Sequence, residues 1–169
     1  MAKKKQKDIF LESEGDAWFK RNHEDIERIK LPEEDLILRE ILGIVPEETD
    51  ELNVLEVGCG EGRRLKWLQS NMKMKCSGIE PSASAVSLAN QSGINALQGT
   101  ADSLPFENNS FDLVIFGFCL YLCDRNDLFR IACEADRVLR TPAWLLILDF
   151  FSSNYEIGVY HHKAGIKSY

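Results

Sequence analysis

The sequence predicts an α/β protein with a doubly wound, mostly parallel sheet, preceded by helices and followed by a short C-terminal part. Three features support this prediction. From residue 52 onward short apolar segments alternate with amphipathic ones, a glycine-rich loop follows the first apolar segment, and residues 113–116 are apolar without interruption. Such alternation is typical of parallel strands joined by helices on both faces of the sheet. At 169 residues, the chain has room for one such domain.

The first 44 residues are predicted to form a basic tail and a helical region. Residues 1–7 contain four lysines and are interpreted as a flexible, solvated end, although such a tail could also contact RNA or anionic lipid. Residues 8–44 are predicted to be helical; within them, Pro32 and the acidic residues after it suit a helix start, and Gly43 suits a helix end. The sheet domain then occupies residues 45–169.

The strands and helices of the sheet domain are predicted from apolar runs and capping residues. The fourth strand is apolar after Asp112, as expected for a strand covered on both faces. Ser82 can cap a helix that Gly93 ends. Ligands bind sheets of this kind beyond the carboxyl ends of the strands, where the strand order reverses. We expect strands at residues 53–57, 75–80, 94–98, 111–116 and 143–150, and helices at residues 63–70, 82–91 and 127–139.

The charge balance and the apolar runs argue against several classes of partner. The chain has 27 acidic and 20 basic residues, and its net charge of −7 argues against binding to a nucleic-acid backbone. The longest apolar run, residues 113–123, is about half as long as the ~20 residues of a bilayer span. We therefore expect no nucleic-acid partner and no membrane partner. The five cysteines are odd in number and are interpreted as reduced thiols, which predicts a cytoplasmic protein with Cys119 and Cys123 in its core.

The loop after the first predicted strand is the strongest ligand-binding signal. Residues 56–62 read EVGCGEG, and the three glycines allow a tight turn and a close approach to a ligand. The loop also opens a helix, whose N-terminus favours a carboxylate or phosphate. A dinucleotide-binding loop would have its third glycine at position 63, where this chain has Arg63. A nicotinamide dehydrogenase is therefore disfavoured.

The EVGCGEG loop resembles the first motif of class I S-adenosylmethionine-dependent methyltransferases, E/D-x-G-x-G-x-G. Other landmarks of that family follow in order: Glu80 ends the second strand, an acidic loop around Asp102 follows the third, and residues 110–115 and 134–140 resemble the later motifs. The similarity covers roughly residues 50–150 and is greatest to small-molecule enzymes of the quinone-biosynthesis type. It implies a Rossmann-like fold, with the N-terminal helical region, residues 8–44, as a lid.

The resemblance implies S-adenosylmethionine as cofactor and S-adenosylhomocysteine as product. Glu80 would accept from the ribose hydroxyls and Asp102 from the adenine amino group, with the backbone N–H of Ser103 on a ring nitrogen. Glu56 would hold the ammonium of the methionine end, directly or through water, while the glycine loop and helix start suit its carboxylate. The expected cofactor-binding residues are Glu56, Gly58, Cys59, Gly60, Gly62, Glu80, Pro81, Ala101, Asp102 and Ser103, together with Phe116 and Gly117, whose carbonyls could also take the ammonium.

Each of these acids also has a purely structural interpretation. Glu80 could be a solvated strand end, and Asp102 could simply cap the turn that follows it. Glu56 lies on an otherwise apolar strand, where an unpartnered carboxylate would be costly to bury, so its presence favours a function.

The methyl acceptor is expected to be a small molecule, methylated at oxygen or carbon rather than nitrogen. The family's enzymes for planar nitrogens often carry Asn/Asp-Pro-Pro-aromatic after the fourth strand, and residues 116–119 read FGFC here. No catalytic residue is assigned, because a base is needed only if the acceptor must lose a proton. No metal site is predicted, since His161 and the adjacent histidine would point to opposite faces of a strand. The candidate substrate residues are Trp18, Arg21, Tyr121 and His161.

The C-terminal part is shorter than the resemblance leads one to expect. The family adds a helix and two strands after the fifth strand, and only 19 residues follow Phe150. The edge of the fifth strand would then stay open, which predicts a homodimer through that edge or an unstable edge. An alternative to an enzyme is a methyltransferase-like module or partner subunit that binds the cofactor without turnover.

Overall fold

A computed structural model describes residues 4–46, 51–151 and 157–169 of the chain. The main sheet is five-stranded and parallel, in the order β3-β2-β1-β4-β5. This arrangement confirms the predicted fold class. The strands are β1 (Asn53–Val57), β2 (Lys75–Glu80), β3 (Asn95–Gln98), β4 (Phe111–Gly117) and β5 (Leu139–Leu148). The helices are α1 (Gln6–Ile9), a π-helical segment (Phe10–Glu14), α2 (Gly15–Glu27), α3 (Leu36–Ile44), α4 (Arg63–Met72), α5 (Ala83–Gln91) and α6 (Leu128–Val138).

The strand order reverses at β1, which lies between β2 and β4. Val57, the last residue of β1, is in register with Ile79 of β2 and with Phe116 of β4. The carboxyl ends of these three strands therefore form one edge of the sheet. Ligands of doubly wound sheets bind at such a reversal point, so the fold itself indicates where to look for a site.

Two apolar clusters cover the two faces of the sheet. Alternate residues of β1 belong to different clusters, with Val54 on the face covered by α3 and α4, and Leu55 on the face covered by α6. The same division applies to Leu113 and Val114 of β4. Burial on both faces explains why β4 is uniformly apolar after its second residue.

Helix α3 begins at Leu36, four residues after the predicted start at Pro32. Pro32 lies in a turn, and the expectation that it begins this helix is wrong. The carboxylate of Asp35 accepts a hydrogen bond of 2.9 Å from the Leu38 backbone N–H and caps the helix. A capping carboxylate satisfies a free N–H of the first turn, which proline cannot do. At α5 the predicted cap is confirmed, because Ser82 Oγ accepts from Ala85 N at 3.1 Å.

The N-terminal segment makes contacts that the expected solvated tail would lack, although Lys4 and Lys5 are exposed. Gln6 is buried, donates to the Leu122 carbonyl at 2.9 Å and accepts from Lys167 N at 2.6 Å. Lys5 pairs with Asp127 at 3.2 Å. Gln6 thus packs against the body and Lys5 and Lys7 form ion pairs with it, while residues 1–3 of the predicted tail lie outside the described residues.

The C-terminal residues do not extend the main sheet in the described part of the chain. Gly158–Val159 (β6) and Lys167–Ser168 (β7) form a separate antiparallel pair near α1. Within the described ranges β5 pairs only with β4, so its outer edge carries no strand. No described helix is long and apolar enough to cross a membrane.

Helix α2 packs closely on the loop between β2 and α5. Asp16 Oδ1 accepts from Ser82 Oγ at 2.6 Å and from Ser84 N at 3.0 Å. A Cβ on Gly15 would lie 2.9 Å from Ser82 N and 2.8 Å from the Phe10 carbonyl oxygen. The absence of a side chain at Gly15 therefore permits the close approach of α2 to this loop.

We predict opposite effects for alanine at two helical glycines. Gly15→Ala should lower the free energy of unfolding by roughly 1–3 kcal/mol, because the added methyl group overlaps with backbone atoms. Gly43→Ala in α3 should raise it by about 0.5–1 kcal/mol, because a Cβ there meets nothing within 4 Å and alanine favours helix. Urea denaturation measures both. Equal stabilisation by the two substitutions would contradict the close packing of α2.

Candidate functional site

A cavity of about 570 Å³ opens at the carboxyl ends of β1, β2 and β4. The glycine loop forms one wall, and side chains from α2 cover the opposite side. The cavity therefore lies at the position that the strand order indicates, between the sheet and the N-terminal helices.

The glycine loop adopts a backbone that other residues rarely adopt. Gly58, with φ of +77°, cannot carry a side chain, because its Cβ would lie 2.9 Å from Cys119 Cβ. Gly60, with φ of +55°, faces open space, since nothing lies within 4 Å of the position of its Cβ. The loop thus turns sharply and leaves its backbone accessible from the cavity.

Glu80 lies at the end of β2 with its carboxylate against the glycine loop. Its Oε2 accepts from Gly60 N at 2.9 Å, and its Oε1 accepts from Ser82 N at 2.9 Å. Burial raises the pKa of Glu80, and the two backbone hydrogen bonds oppose that rise. Each carboxylate oxygen has a second lone-pair direction, so Glu80 can accept further hydrogen bonds from a ligand.

Asp102 follows β3 and is buried at another wall of the cavity. Lys7 Nζ pairs with Asp102 Oδ2, and Thr100 Oγ1 donates to Oδ1 at 2.8 Å. Burial alone would raise the pKa of Asp102, but the hydrogen bonds from Lys7 and Thr100 outweigh it and hold the pKa below its usual range. The N-terminal segment is thereby tied to the acidic loop after β3.

Glu56 lies in the middle of the apolar sheet and is only 1% exposed. Arg64 Nη1 pairs with its Oε1, while its Oε2 is buried without a hydrogen-bond partner. The same guanidinium contacts Asp35, with Nε 3.1 Å and Nη2 3.0 Å from Oδ2. One arginine thus links an acid of β1 to the cap of α3, and all three side chains line the cavity.

The end of α2 is fastened to the glycine loop by polar contacts. Arg63 donates to the carbonyls of Ile26 and, at 3.0 Å, of Ile29. His23 lies between two acids, 3.4 Å from Glu61 and 3.6 Å from Glu27. The ligand atoms of this histidine and the two acids all lie within 4.8 Å of one another. We assign these contacts to the docking of α2 on the loop.

Most of the predicted cofactor-binding residues meet in the cavity, and three do not line it. Gly62 is the residue before α4, and a Cβ on it would lie 3.3 Å from Ile94, so this position faces the core. Ser103 is exposed, and its N–H donates to the Thr100 carbonyl at 3.3 Å. Phe116 is buried in the cluster on the α6 face. The residues that line the cavity are Glu56, Gly58, Cys59, Gly60, Glu80, Pro81, Ala101, Asp102 and Gly117.

Of the candidate substrate residues, only Trp18 lines the cavity. Arg21 turns away and pairs with buried Glu14 beside the Tyr160 hydroxyl. Tyr121 is half-buried and does not line the cavity, and burial raises its pKa. His161 is exposed in the C-terminal turn and is not a lining residue.

Sequence reasoning missed Lys7, Asp35 and Arg64. Arg64 follows Arg63, the residue at the third-glycine position of a dinucleotide-binding loop. A cation eight residues after Glu56, an acid on an apolar strand, is a signal that sequence analysis could have used. The position of Asp35 in the sequence, among the acidic residues after Pro32, indicates only a favourable charge near a helix start. Nothing local indicates that Lys7 reaches Asp102, because that contact joins residues far apart in the sequence.

The chain is similar to known methyltransferases in sequence and in structure. The sequence model of a family described as a methyltransferase domain matches residues 55–147, just over half of the chain. The chain is 29% identical to the fatty-acid O-methyltransferase of Mycolicibacterium smegmatis, over 64% of this chain and 48% of that protein. It is 31% identical to phthiotriol/phenolphthiotriol dimycocerosates methyltransferase 1 of Mycobacterium ulcerans, over 60% of this chain and 38% of that protein. The chain thus spans less than half the length of these curated relatives.

A solved structure is also similar to this chain and is likewise described as a methyltransferase. A protein of Thermotoga maritima, described as an S-adenosylmethionine-dependent methyltransferase and possible histamine N-methyltransferase, superposes with a TM-score of 0.57. It is 28% identical, and the match covers 76% of this chain and 58% of that one.

We predict that Asp102 stabilises the fold in a pH-dependent way. Folding lowers the pKa of Asp102. Such a group stabilises the folded state at any pH above its pKa in the unfolded chain, and this stabilisation is lost as the pH falls through its pKa in the folded protein. Asp102→Asn should therefore cost roughly 1–3 kcal/mol of unfolding free energy at pH 7. The difference from wild type should begin to shrink below about pH 4, where this carboxyl takes up a proton in the unfolded chain, and should go on shrinking as the pH falls through the lower folded pKa.

Urea denaturation from pH 7 to pH 3 measures this difference. Asp136→Asn, at an exposed position of α6, removes the same charge and serves as the control. A cost of Asp102→Asn that stays constant over this range would contradict the role of the charged carboxylate.

Proposed function

The chain belongs to the methyltransferase domain family, and we propose that it transfers a methyl group from S-adenosylmethionine to an apolar small molecule, at oxygen or carbon. The family implies S-adenosylmethionine as the cofactor. The observation that carries the proposal is the convergence of Glu56, Glu80 and Asp102 on one cavity beside the glycine loop. When bound, the cofactor supplies a methyl group made electrophilic by its sulfonium.

The residues of the cavity fit the parts of this cofactor. Glu80 retains acceptor capacity for ribose hydroxyls, and Asp102 retains it for the adenine amino group beside Lys7 and Thr100. The unpaired Oε2 of Glu56 is a buried acceptor without a donor. An unsatisfied buried acceptor is costly, and an ammonium group would satisfy it.

The acceptor side of the cavity is apolar. Phe10, Trp18 and Phe19 of the N-terminal helices line it, with Phe118 and Leu122 after β4. We regard these helices as a lid that excludes water from the reacting groups. An apolar lining favours an apolar acceptor, in keeping with the fatty-acid and dimycocerosate enzymes among the relatives.

The choice of acceptor atom rests on two observations. Residues 116–119 lack the Asn/Asp-Pro-Pro-aromatic sequence of many enzymes that methylate planar nitrogens. No histidine is found among the described residues that line the cavity. A carboxylate oxygen needs no base, because it is already deprotonated at neutral pH. Trp18 is the candidate for contact with the acceptor.

We predict that S-adenosylhomocysteine binds the wild type and that Glu80→Gln weakens binding by roughly 10- to 100-fold, because a charge-assisted hydrogen bond is lost. Isothermal titration calorimetry measures both, with NADH as the control ligand. Glu107→Gln removes the same charge at an exposed position outside the cavity and should bind as wild type. Binding of NADH, or equal affinities of the wild type and Glu80→Gln, would contradict the proposal.

Product formation distinguishes a methyltransferase from the alternative function, a module that binds the cofactor without turnover. The methyltransferase should convert labelled S-adenosylmethionine to S-adenosylhomocysteine in the presence of long-chain carboxylic acids or alcohols. A module would bind the cofactor and release no product with any acceptor.

We further predict a homodimer formed through β5. Leu145 and Ile147 are 47% and 53% exposed on this edge strand, and an unpaired apolar edge favours pairing with a second copy. Sedimentation velocity should show self-association that Ile147→Lys reduces. Phe129→Lys, which places the same charge on the exposed part of α6, should leave it unchanged. A monomer at high concentration would contradict this prediction.

A further inference from the structure

Arg64 lines the cavity and pairs with two acids, Asp35 and Glu56, but these acids do not accept hydrogen bonds from all of its N–H groups. Its Nε and Nη2 donate to Asp35, and its Nη1 donates to Glu56 Oε1. A guanidinium has five N–H groups, so two of them have no partner within residues 4–46, 51–151 and 157–169. Its side chain is 19% exposed and lines the cavity.

The free groups of this pair complement an amino-acid zwitterion. Glu56 Oε2 is an acceptor without a donor, and Arg64 beside it has donors without an acceptor. An amino-acid zwitterion carries its ammonium and its carboxylate on one carbon. A protein carboxylate can therefore bind the ammonium while a guanidinium next to it binds the carboxylate. Planar guanidinium groups match carboxylates well, because two parallel N–H groups can meet two oxygens.

We propose that Arg64 binds the α-carboxylate of the cofactor's amino-acid end and that Asp35 fixes the guanidinium for this contact. This inference rests on the proposed function, since it assumes that the amino-acid end reaches Glu56. Without Arg64, only the glycine loop and the start of α4 would bind this carboxylate.

Two neighbouring features support the assignment. Gly117 leaves room for the guanidinium, because a Cβ there would lie 3.4 Å from Arg64 Nη1 and 2.7 Å from Ile37 Cδ1. Gly62 precedes α4 without a side-chain cap, so the helix N-terminus adds a positive potential close to Arg64. Asp35 restrains the arginine through both of its carboxylate oxygens, with Arg64 Nε donating to Oδ1 at 3.2 Å and Nη2 donating to Oδ2 at 3.0 Å.

The test compares two ligands that differ only in the carboxylate. S-adenosylhomocysteine has it, and its decarboxylated analogue, S-adenosyl-3-thiopropylamine, keeps the ammonium and lacks it. Wild type should prefer the former by roughly 10- to 100-fold in calorimetric affinity. In Arg64→Gln this preference should fall to about twofold or less, because a change at Glu56 affects both ligands alike and cancels in the ratio.

Lys66→Gln is the matched control, because it removes one positive charge from an exposed position of the same helix. It should keep the wild-type preference. If Arg64→Gln does not fold, Arg64→Lys replaces it in the test, because lysine keeps a cation beside Glu56. Arg64→Lys should reduce the preference severalfold, because lysine lacks the planar pair of N–H donors. An unchanged preference in either Arg64 variant, or an equal loss in Lys66→Gln, would overturn the inference. Absence of S-adenosylhomocysteine binding to wild type would instead overturn the proposed function, and this inference with it.

Discussion

The placement of a carboxylate inside an apolar sheet is the constraint on which the site depends. Glu56 is almost completely buried on the central strand, and an isolated charge there would cost several kcal/mol. Arg64 supplies the counter-charge, and Asp35 supplies the second partner of the arginine. Because Asp35 also caps α3, this single interaction fixes the starts of two helices relative to the central strand.

The N-terminal helices depend on the same loops that form the cavity. Asp16 is held by the loop after β2, Arg63 and Glu61 hold the end of α2, and Lys7 is held by the acid after β3. Each of these contacts lies close to a residue proposed to meet the cofactor. Events at the cofactor site are therefore expected to change how firmly the helices are attached, which links binding to access to the apolar part of the cavity.

The sequence was sufficient for the features that follow from local rules. Apolar runs predicted the strands, Ser82 predicted a cap, and the EVGCGEG loop predicted the turn after β1. The last apolar run predicts strand β5 at residues 143–150, whereas the strand lies at Leu139–Leu148, because Leu139 already pairs with Phe111 of β4 ahead of polar residues that the apolar run does not include. Other features come from tertiary contacts that periodicity cannot reveal. Pro32 suits a helix start by its own geometry, yet Asp35 provides the actual cap. Gly62 faces the core rather than the cavity because α4 packs on Ile94, and Lys7 meets Asp102 only through the fold.

The central claim is that three acids, on β1, on β2 and after β3, form one cofactor site under the N-terminal helices. A crystal structure with S-adenosylhomocysteine tests it most directly. The account predicts ribose hydroxyls on Glu80, the adenine amino group on Asp102 and the ammonium on Glu56. A ligand bound outside this cavity, or bound within it without contacting these carboxylates, would contradict the account.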